Sequence, residues 1–328
     1  MSSTIAAEAR EAAAGARRQL QAAAPVVAEL AKRLRAAPPP LVVTCARGSS
    51  DHAATYGKYV IETTVGSLVA SVGPSVATMY RRAPAGLVNA LFIAVSQSGR
   101  SPDVVELTAA AKRGGALVVG FVNDETSPLA AECDYVLPLC AGEERAVAAT
   151  KSFLLAGLAF VQLAAAWSGD AALVDAAASA PDALDAACAT LWDLTPLAPA
   201  ASLYVVGRGV GLGAAQEIAL KLKETCRMHA EAFSTAEVLH GPVALVDRGF
   251  PIVAIEQADE TATATRATLD RLAALGAIVH RFPSAAGAPI LAPLCQAQSF
   301  YLALPALAHA RGLDADAPAH LHKITETL

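Results

Sequence analysis

The chain has 328 residues, a length that fits either one large domain or two domains of ~150 residues each. Apolar residues make up 54 % of the chain and charged residues only 17 %, which excludes an intrinsically disordered protein. The formal net charge is −5, so the chain lacks the overall positive charge that nucleic-acid binding requires.

Cysteine usage and the N-terminal sequence bear on location. The six cysteines form no CxxC pair, which argues against both a disulfide scaffold and a zinc site. Charges run through the first 20 residues without an apolar core, so this segment does not read as a signal peptide. The charge-free run from Ser152 to Gly169 barely reaches membrane-spanning length and favours a buried helix. We therefore expect a cytoplasmic protein.

Strands and helices alternate through the first half of the chain. A helix rich in Ala, Glu and Arg is predicted over residues 2–36, and the prolines at 38–40 stop it. Apolar runs predict strands at 41–44, 67–70, 91–95, 116–122 and around Leu137, and helices at 52–62, 102–113 and 146–167. Ser101 is expected to cap the helix that starts at Pro102. This alternation is typical of βαβ units with a parallel sheet buried on both faces.

The second half repeats the pattern of the first. Strands are predicted at 202–206, 251–255 and 277–282, and helices at 214–228 and 260–275. An Ala-, Asp- and Pro-rich stretch over 170–200, with a helix around 181–194, reads as the connector. Two copies of one α/β unit explain this order. The predicted division is an N-terminal helix (1–37), a first unit (38–170), the connector (171–200), a second unit (201–313) and a polar tail (314–328).

The sharpest local motif is VSQSGRSPD at residues 95–103, where a strand ends, hydroxyl residues follow and a helix begins. Unpaired N–H groups at a helix start carry partial positive charge, and Ser96, Gln97, Ser98 and Ser101 can add side-chain donors. Gly99 allows the backbone to approach a ligand closely. The motif suits a phosphate monoester at the carboxyl end of a parallel strand. An ordinary Ser-rich turn is the alternative at this point.

A second glycine-rich turn, GRGVGLGA at 207–214, loosely matches a dinucleotide-binding fingerprint. That fold requires an acidic residue at the end of the following strand, ~20 residues further on. The next strand that ends in an acid here ends only at Glu256. Dinucleotide binding is therefore disfavoured.

Three further groups of polar residues are candidates for chemistry. Lys221 and Glu224 share a helix face at i, i+3, either as an acid–base pair or as a solvated ion pair. His240 lies in a Gly-Pro turn, where histidine suits both proton transfer and capping. The tail carries two histidines and Lys323, and a solvated terminus is the alternative there. No set of residues has the spacing of a metal site.

These segments together resemble the SIS (sugar isomerase) family, specifically the isomerase half of glucosamine-6-phosphate synthases. The similarity covers most of the chain from about residue 40. The matching motifs, in chain order, are RGSSDHA (47–53), SQSGRSPD (96–103), AVAATKSF (146–153), ALKLKE (219–224), HAEAFSTAEVLHGPVALVD (229–247) and DADAPAHLHKI (314–324).

The resemblance implies a fold, a site and a partner. The implied fold is α/β, with two tandem three-layer αβα, flavodoxin-like subdomains built on parallel sheets. Glu224 would move a proton between C1 and C2 with support from Lys221, and Lys323 matches the tail lysine that forms a Schiff base in the synthases. His240 would open the sugar ring from a neighbouring subunit, which implies a homodimer. The implied sugar-phosphate site comprises Ser49, Ser50, Ser96, Gln97, Ser98, Ser101, Val147 and Ala148, with no metal, no redox cofactor, no nucleic acid and no membrane.

Departures from the synthase pattern refine the expected activity. The chain starts with a helix rather than a nucleophilic cysteine, so we expect no glutaminase function. Ala149 replaces a serine, and Arg100 and Pro102 give the motif the form found in SIS-type glucosamine-6-phosphate deaminases. We expect that deaminase activity. The alternatives are an aldose–ketose phosphosugar isomerase, a deaminase or deglycase for another amino-sugar phosphate, and a non-catalytic sensor, which would have no need of Glu224 and Lys221.

Overall fold

The computed structural model describes residues 3–82, 84–284 and 287–323. Within them the chain divides into two compact units. The sheet-1 unit comprises the described residues of 14–144, 151–178 and 322–323, and the sheet-2 unit those of 3–13, 145–150 and 179–321. The division is not sequential, and the predicted domain boundaries remain predictions. The predicted tail is described as far as Lys323, so residues 324–328 lie outside the described part.

The sheet-1 unit contains a parallel sheet in the order β2-β1-β3-β4-β5. Its strands are Val42–Cys45 (β1), Val69–Ser71 (β2), Leu91–Ser96 (β3), Leu117–Val122 (β4) and Tyr135–Pro138 (β5). Its helices are Ala12–Ala36 (α2), Ser49–Thr64 (α3), Ser75–Thr78 (α4), Pro102–Arg113 (α5), Pro128–Glu132 (α6) and Lys151–Ser168 (α7). A further helix, Thr4–Arg10 (α1), precedes α2 and belongs to the other unit.

Helices cover both faces of this sheet. Phe92 and Val118 pack with Leu107 of α5 on one face. On the other face the Phe121 ring meets Phe160 of α7 edge-on, with ring centroids 4.8 Å apart. Helix α7 is long and apolar enough to span a membrane, but 89 % of it is buried inside the structure. The predicted buried helix therefore forms one layer of this unit.

The sheet-2 unit repeats the arrangement with a parallel sheet in the order β7-β6-β8-β9. Its strands are Ser202–Gly207 (β6), His229–Ser234 (β7), Pro251–Ala254 (β8) and Ile278–Arg281 (β9). The helices that follow α7 are Ala171–Ala189 (α8), Gly211–Cys226 (α9), Ala262–Ala274 (α10) and Ala292–Ala310 (α11). When the strands of each unit are counted along the chain, both sheets place the second strand at one edge, followed by the first, the third and the fourth. The predicted α/β class with two parallel sheets is confirmed.

Several element boundaries differ from the prediction. The helix expected from residue 146 begins at Lys151. The backbone N–H groups of Arg145 and Ala146 donate to the Glu8 carboxylate, so the chain is held in an irregular conformation before the helix. The connector helix starts at Ala171 and contains Pro181, where the prediction had it begin. Strand β7 and helix α11 were not predicted. The helix predicted over residues 2–36 is interrupted at Glu11, between α1 and α2.

Candidate active site

The predicted hydroxyl residues come together at one edge of the sheet-1 unit. Strands β1 and β3 are neighbours, and β2 lies on the far side of β1, so the strand order reverses between β1 and β3. Ligands of parallel α/β sheets bind in the crevice at such a reversal, outside the carboxyl ends of the strands. Ser49 and Ser50 begin α3 on one side of this crevice, and Ser96 to Ser101 form the loop on the other side. We call these two loops the hydroxyl cradle.

Hydrogen bonds within the 96–101 loop of the cradle fix its backbone and use serine hydroxyls as acceptors. The Ser96 Oγ accepts the Gly99 N–H at 3.0 Å, and the Ser98 Oγ accepts the Arg100 N–H at 3.3 Å, so each hydroxyl keeps its own proton to donate. Ser101 occupies the predicted N-cap position, but its hydroxyl makes no capping bond. Gly99 has a φ of +63°, and a Cβ there would lie 2.1 Å from the Ser127 Oγ. The loop therefore requires glycine at this position.

Two arginines that were not predicted as site residues flank the cradle. Arg47 Nε and Nη2 donate to Asp103 Oδ2 at 2.9 and 2.7 Å, and the Asp103 side chain is fully buried. Arg100 Nη2 donates to Asp124 Oδ2 at 2.8 Å, on a more exposed surface. Hydrogen bonds from the Thr126 hydroxyl and then from Arg100 lower the pKa of Asp124. Both arginines stand in the quoted motifs, RGSS and SQSGR, which is the signal that could have identified them.

Cys45 ends β1 directly before the cradle but is unsuited to nucleophilic chemistry. Burial, reinforced by the neighbouring Asp103 carboxylate, raises the pKa of its thiol to about 12. The thiolate is the nucleophilic form of cysteine. Cys45 therefore stays protonated at neutral pH and acts as a small apolar side chain.

The sheet-2 unit contains the predicted Lys221–Glu224 pair as a buried charge cluster on α9. Lys221 Nζ lies 2.6 Å from Glu224 Oε2 and 3.3 Å from Glu217 Oε1. Burial alone would lower the pKa of Lys221, but the carboxylates of Glu217 and Glu224 raise it above the ordinary value. The ammonium is therefore charged at neutral pH. The Glu224 side chain is 20 % exposed while that of Lys221 is 1 % exposed, so Glu224 is the member of this pair that a ligand can reach.

Glu217 and Tyr301 complete this cluster and were not predicted. The Tyr301 hydroxyl donates to Glu217 Oε1 at 3.0 Å, and both side chains are buried. Residues four apart share a helix face, so Glu217 could have been identified from its spacing to Lys221. Tyr301 lies on α11, 84 residues further along the chain, where no local pattern points to it.

His240 follows the short 3₁₀ helix Glu237–Leu239 and precedes Gly241, which has a φ of +123°. The residue is exposed. Within the described ranges its imidazole makes no hydrogen bond. Its assignment to a neighbouring subunit's site therefore remains a prediction.

Lys323 contacts a buried acid of the sheet-1 unit that the prediction missed. Its Nζ lies 3.2 Å from Glu144 Oε2, whose side chain is fully buried. Glu144 also accepts the Ser152 N–H at 3.2 Å and the Ser152 hydroxyl at 2.8 Å, in the first turn of α7. A helix N-terminus stabilises a carboxylate. Glu144 thus links the tail lysine to the start of the core helix.

Val147 and Ala148 lie in an irregular segment of the sheet-2 unit. Glu8 of α1 holds this segment, because its carboxylate accepts the backbone N–H groups of Arg145, at 2.5 Å, and Ala146, at 3.2 Å. Asp316 in turn accepts the N–H groups of Thr4 and Ile5 at the start of α1, at 2.7 and 2.9 Å. The N-terminal helix therefore connects the 145–150 segment with the tail.

In the second sheet the strand order reverses between β6 and β8, and a side chain of the protein fills the crevice at that point. Gln257, after β8, donates from Nε2 to the Arg208 carbonyl at 2.7 Å, which bridges the loops that follow β6 and β8. A Cβ at Gly211 would lie 2.8 Å from Gln257 Oε1. The glycines of this loop therefore make room for a glutamine side chain.

Comparison with family models identifies a match along two segments. The model described as "SIS domain" matches residues 40–166 and 196–289. These two segments contain the two parallel sheets, which accounts for the same strand order in both.

Solved structures and curated sequences give consistent relatives. A crystal structure from Silicibacter pomeroyi, assigned as a phosphosugar isomerase, is 40 % identical, with a TM-score of 0.89, and covers 96 % of this chain and 100 % of that chain. The C-terminal domain of glucosamine-fructose-6-phosphate aminotransferase from Francisella tularensis is 25 % identical, with a TM-score of 0.79, over 97 % of this chain and 99 % of that chain.

Among curated proteins, the glutamine–fructose-6-phosphate aminotransferase (isomerizing) of Aeropyrum pernix is 33 % identical over 308 residues. The match covers 84 % of this chain and 49 % of that protein. The chain thus spans about half the length of the curated relatives it matches.

The charge cluster on α9 predicts a selective loss of stability. Lys221→Met should lower the free energy of unfolding by about 3–5 kcal/mol at neutral pH, because the buried Glu217 carboxylate loses its ammonium partner. Urea unfolding measures this loss. The matched control is Lys223→Met, two residues further along α9, where the lysine is exposed and its ammonium donates to the Ala230 carbonyl at 3.2 Å. Equal losses in the two variants would contradict the buried cluster.

The raised pKa of Lys221 also sets the pH range of this contribution. A lysine with a raised folded-state pKa stabilises the fold fully below its unfolded pKa of ~10.4, and this stabilisation is lost as the pH rises through the folded value. The difference between the parent and Lys221→Met should therefore stay constant through neutral pH and shrink only in strong alkali.

Proposed function

The chain belongs to the SIS domain family, and from this premise we propose that it is a glucosamine-6-phosphate deaminase. The reaction converts glucosamine 6-phosphate and water to fructose 6-phosphate and ammonia. The observation that carries the proposal is the Glu224 carboxylate, partly exposed and 2.6 Å from the buried Lys221 ammonium. In this pair the Glu224 carboxylate is accessible to a substrate, and the buried Lys221 ammonium stabilises its negative charge.

Proton transfer is the step assigned to Glu224. Opening of the sugar ring exposes an aldehyde at C1, which acidifies the proton on C2. Glu224 takes that proton, an enolamine forms, and the proton returns to C1, which leaves an imine at C2. Water then adds to the imine carbon and ammonia leaves. General acid–base catalysis of this kind contributes about 10²–10⁴-fold in rate.

The hydroxyl cradle is assigned to the phosphate. The hydroxyls of Ser96, Ser98 and Ser101, which donate to no acceptor among the described residues, and the N-terminus of α5 are donors that suit a dianion. Ser49, Ser50 and Gln97 belong to the same two loops, and Val147 and Ala148 are assigned to the sugar. Binding energy at the phosphate would hold C1 and C2 in a fixed orientation, which lowers the entropic part of the barrier.

His240 and Lys323 are assigned to the steps before and after proton transfer. His240 would open the ring as part of a homodimer, in keeping with its exposed imidazole. Lys323 would either displace ammonia from the C2 imine by transimination or orient that imine for water. The contact with Glu144 supports the orienting role, because it holds the ammonium in one place. Displacement of ammonia would require Lys323 to give up a proton first, since the neutral amine is the nucleophile.

The deaminase assignment is favoured over synthesis by the loop sequence SQSGRSPD, in which Arg100 and Pro102 replace the synthase residues. A second candidate is an aldose–ketose phosphosugar isomerase. The relative that is 40 % identical and assigned as a phosphosugar isomerase favours it, and the same base and cradle would serve it.

A substrate panel separates these functions. Ammonia release should be measured with glucosamine 6-phosphate and galactosamine 6-phosphate, and aldose–ketose conversion with glucose 6-phosphate. We expect ammonia and fructose 6-phosphate from glucosamine 6-phosphate. Isomerisation of glucose 6-phosphate without ammonia from either amino sugar would defeat the deaminase proposal in favour of the isomerase. Glucosamine 6-phosphate formation that depends on added glutamine would defeat it in favour of a synthase.

Glu224→Gln tests the base. The amide keeps the shape and one hydrogen bond to Lys221 but cannot take a proton, so kcat should fall about 10²–10⁴-fold while the Kd for fructose 6-phosphate changes little. The matched control is Glu231→Gln, an exposed acid on β7. Turnover in Glu224→Gln equal to the parent's would remove the base assignment.

Lys323→Arg and Lys323→Ala separate covalent trapping from positioning. Arginine keeps a cation for Glu144 but cannot form an imine with the substrate. If Lys323 displaces ammonia, both variants should be inactive and borohydride should fix a sugar adduct on Lys323 of the parent alone, detectable by mass spectrometry. Near-normal activity of Lys323→Arg would assign positioning to this residue instead.

A further inference from the structure

We propose that Arg47 is a phosphate-binding residue of the hydroxyl cradle, held in its working orientation by the buried Asp103. The inference rests on the proposed function, because it assigns a role within the site to which that function gives the phosphate. It adds a fixed cation to a set of donors that otherwise consists of hydroxyls and backbone.

The first step is the position of the guanidinium. Arg47 belongs to the loop after β1, and Asp103 is the second residue of α5, which follows the loop after β3. Arg47 Nε and Nη2 donate to Asp103 Oδ2 at 2.9 and 2.7 Å. The Arg47 side chain therefore extends from one side of the crevice to the other. The guanidinium lies at the N-terminus of α5, where the cradle's own donors are.

The second step is the number of donors left over. A guanidinium has five N–H groups, and the two contacts with Asp103 employ two of them. Within residues 3–82, 84–284 and 287–323 the Arg47 side chain makes no other hydrogen bond. It is 49 % exposed, whereas the Asp103 side chain is 0 % exposed. One edge of the guanidinium is thus fixed against buried protein and the other is open to a ligand.

The third step is the choice between the two arginines. Arg100 is also paired, but its partner Asp124 is 34 % exposed, and such surface pairs hold their geometry weakly. Arg47 has a fully buried partner, so little conformational entropy remains to be lost when a phosphate binds. A planar guanidinium fixed in this way matches two phosphate oxygens at once.

The carboxylates near Arg47 offset its positive charge and so limit how it can attract a phosphate. Asp103 balances its charge, and Asp51 in the first turn of α3 is a second acid close enough to interact with it. The pair adds little net positive field, so its contribution is local hydrogen bonding rather than long-range attraction. For this reason lysine, a point charge without the planar fork, should be a poor substitute for Arg47.

The test is calorimetric binding of fructose 6-phosphate and of inorganic phosphate to the parent and to Arg47→Lys. Loss of a bidentate contact to a charged group should raise the Kd for both by about 10- to 100-fold. The double variant Arg47→Ala/Asp103→Ala removes the buried acid together with its partner and should bind as weakly. Arg281→Ala is the matched control, since Arg281 Nη2 pairs with Asp270 Oδ1 at 2.8 Å, close to the 2.7 Å of Arg47–Asp103, and lies outside the cradle.

The outcomes separate this inference from the proposed function. Weak binding by both Arg47 variants, with parent-like binding by Arg281→Ala, supports the assignment. Parent-like binding by folded Arg47→Lys and by the double variant overturns it and leaves the proposed function standing. A parent that binds neither phosphate ligand defeats the phosphate assignment of the cradle, and the role of Arg47 fails with it.

Discussion

The burial of one ammonium between two carboxylates is the constraint on which the sheet-2 unit depends. Lys221 is 1 % exposed, and a buried charge of this kind is tolerated only when it is paired and hydrogen-bonded. Glu217 and Glu224, one turn of α9 before and after it, meet that requirement, and the Tyr301 hydroxyl fixes Glu217 from α11. The same requirement leaves Glu224 at the edge of the cluster, partly exposed beside a fixed cation. The need to pair a buried ammonium thus produces the carboxylate to which we assign proton transfer.

The two sheets share a strand order but use it differently. A reversal of strand order creates a crevice in each sheet, and the side chains around it decide whether a ligand can enter. In the sheet-2 unit the Gln257 amide bridges the two loops and fills the space above Gly211. In the sheet-1 unit the equivalent loops carry small hydroxyl residues, and Arg47 spans them without covering them. The repeated fold therefore provides two crevices, and the Gln257 side chain fills the one in the sheet-2 unit.

Local patterns in the sequence were sufficient for every strand of the two sheets except β7, but not for all of the site. Short apolar runs bounded by Gly, Ser or Pro predicted β1, β3, β4, β6 and β8. These runs are too short for a helix and are buried on both faces of their sheets. Strand β7 was missed because its residues HAEAFS include two alanines and a glutamate, which disfavour strands, and no β-branched residue. Lys221, Glu224 and the hydroxyl residues stand in recognisable motifs. Glu144 and Tyr301 do not, because a contact such as Tyr301–Glu217 joins residues on different helices and leaves no spacing to detect.

The N-terminal helix has a larger part than its position at the start of the chain suggests. Its Glu8 carboxylate holds the backbone at Arg145 and Ala146, and its own first N–H groups are held by Asp316 of the tail. The tail is therefore anchored at Asp316 by α1 and at Lys323 by Glu144. Hydrogen bonds to a charged carboxylate contribute about 1.5–3 kcal/mol each, and the cost of ordering several tail residues offsets much of that, so no single bond secures the tail. The lysine assigned to the imine step therefore depends on several separate polar contacts acting together, whereas the pair to which we assign proton transfer depends on one buried cluster.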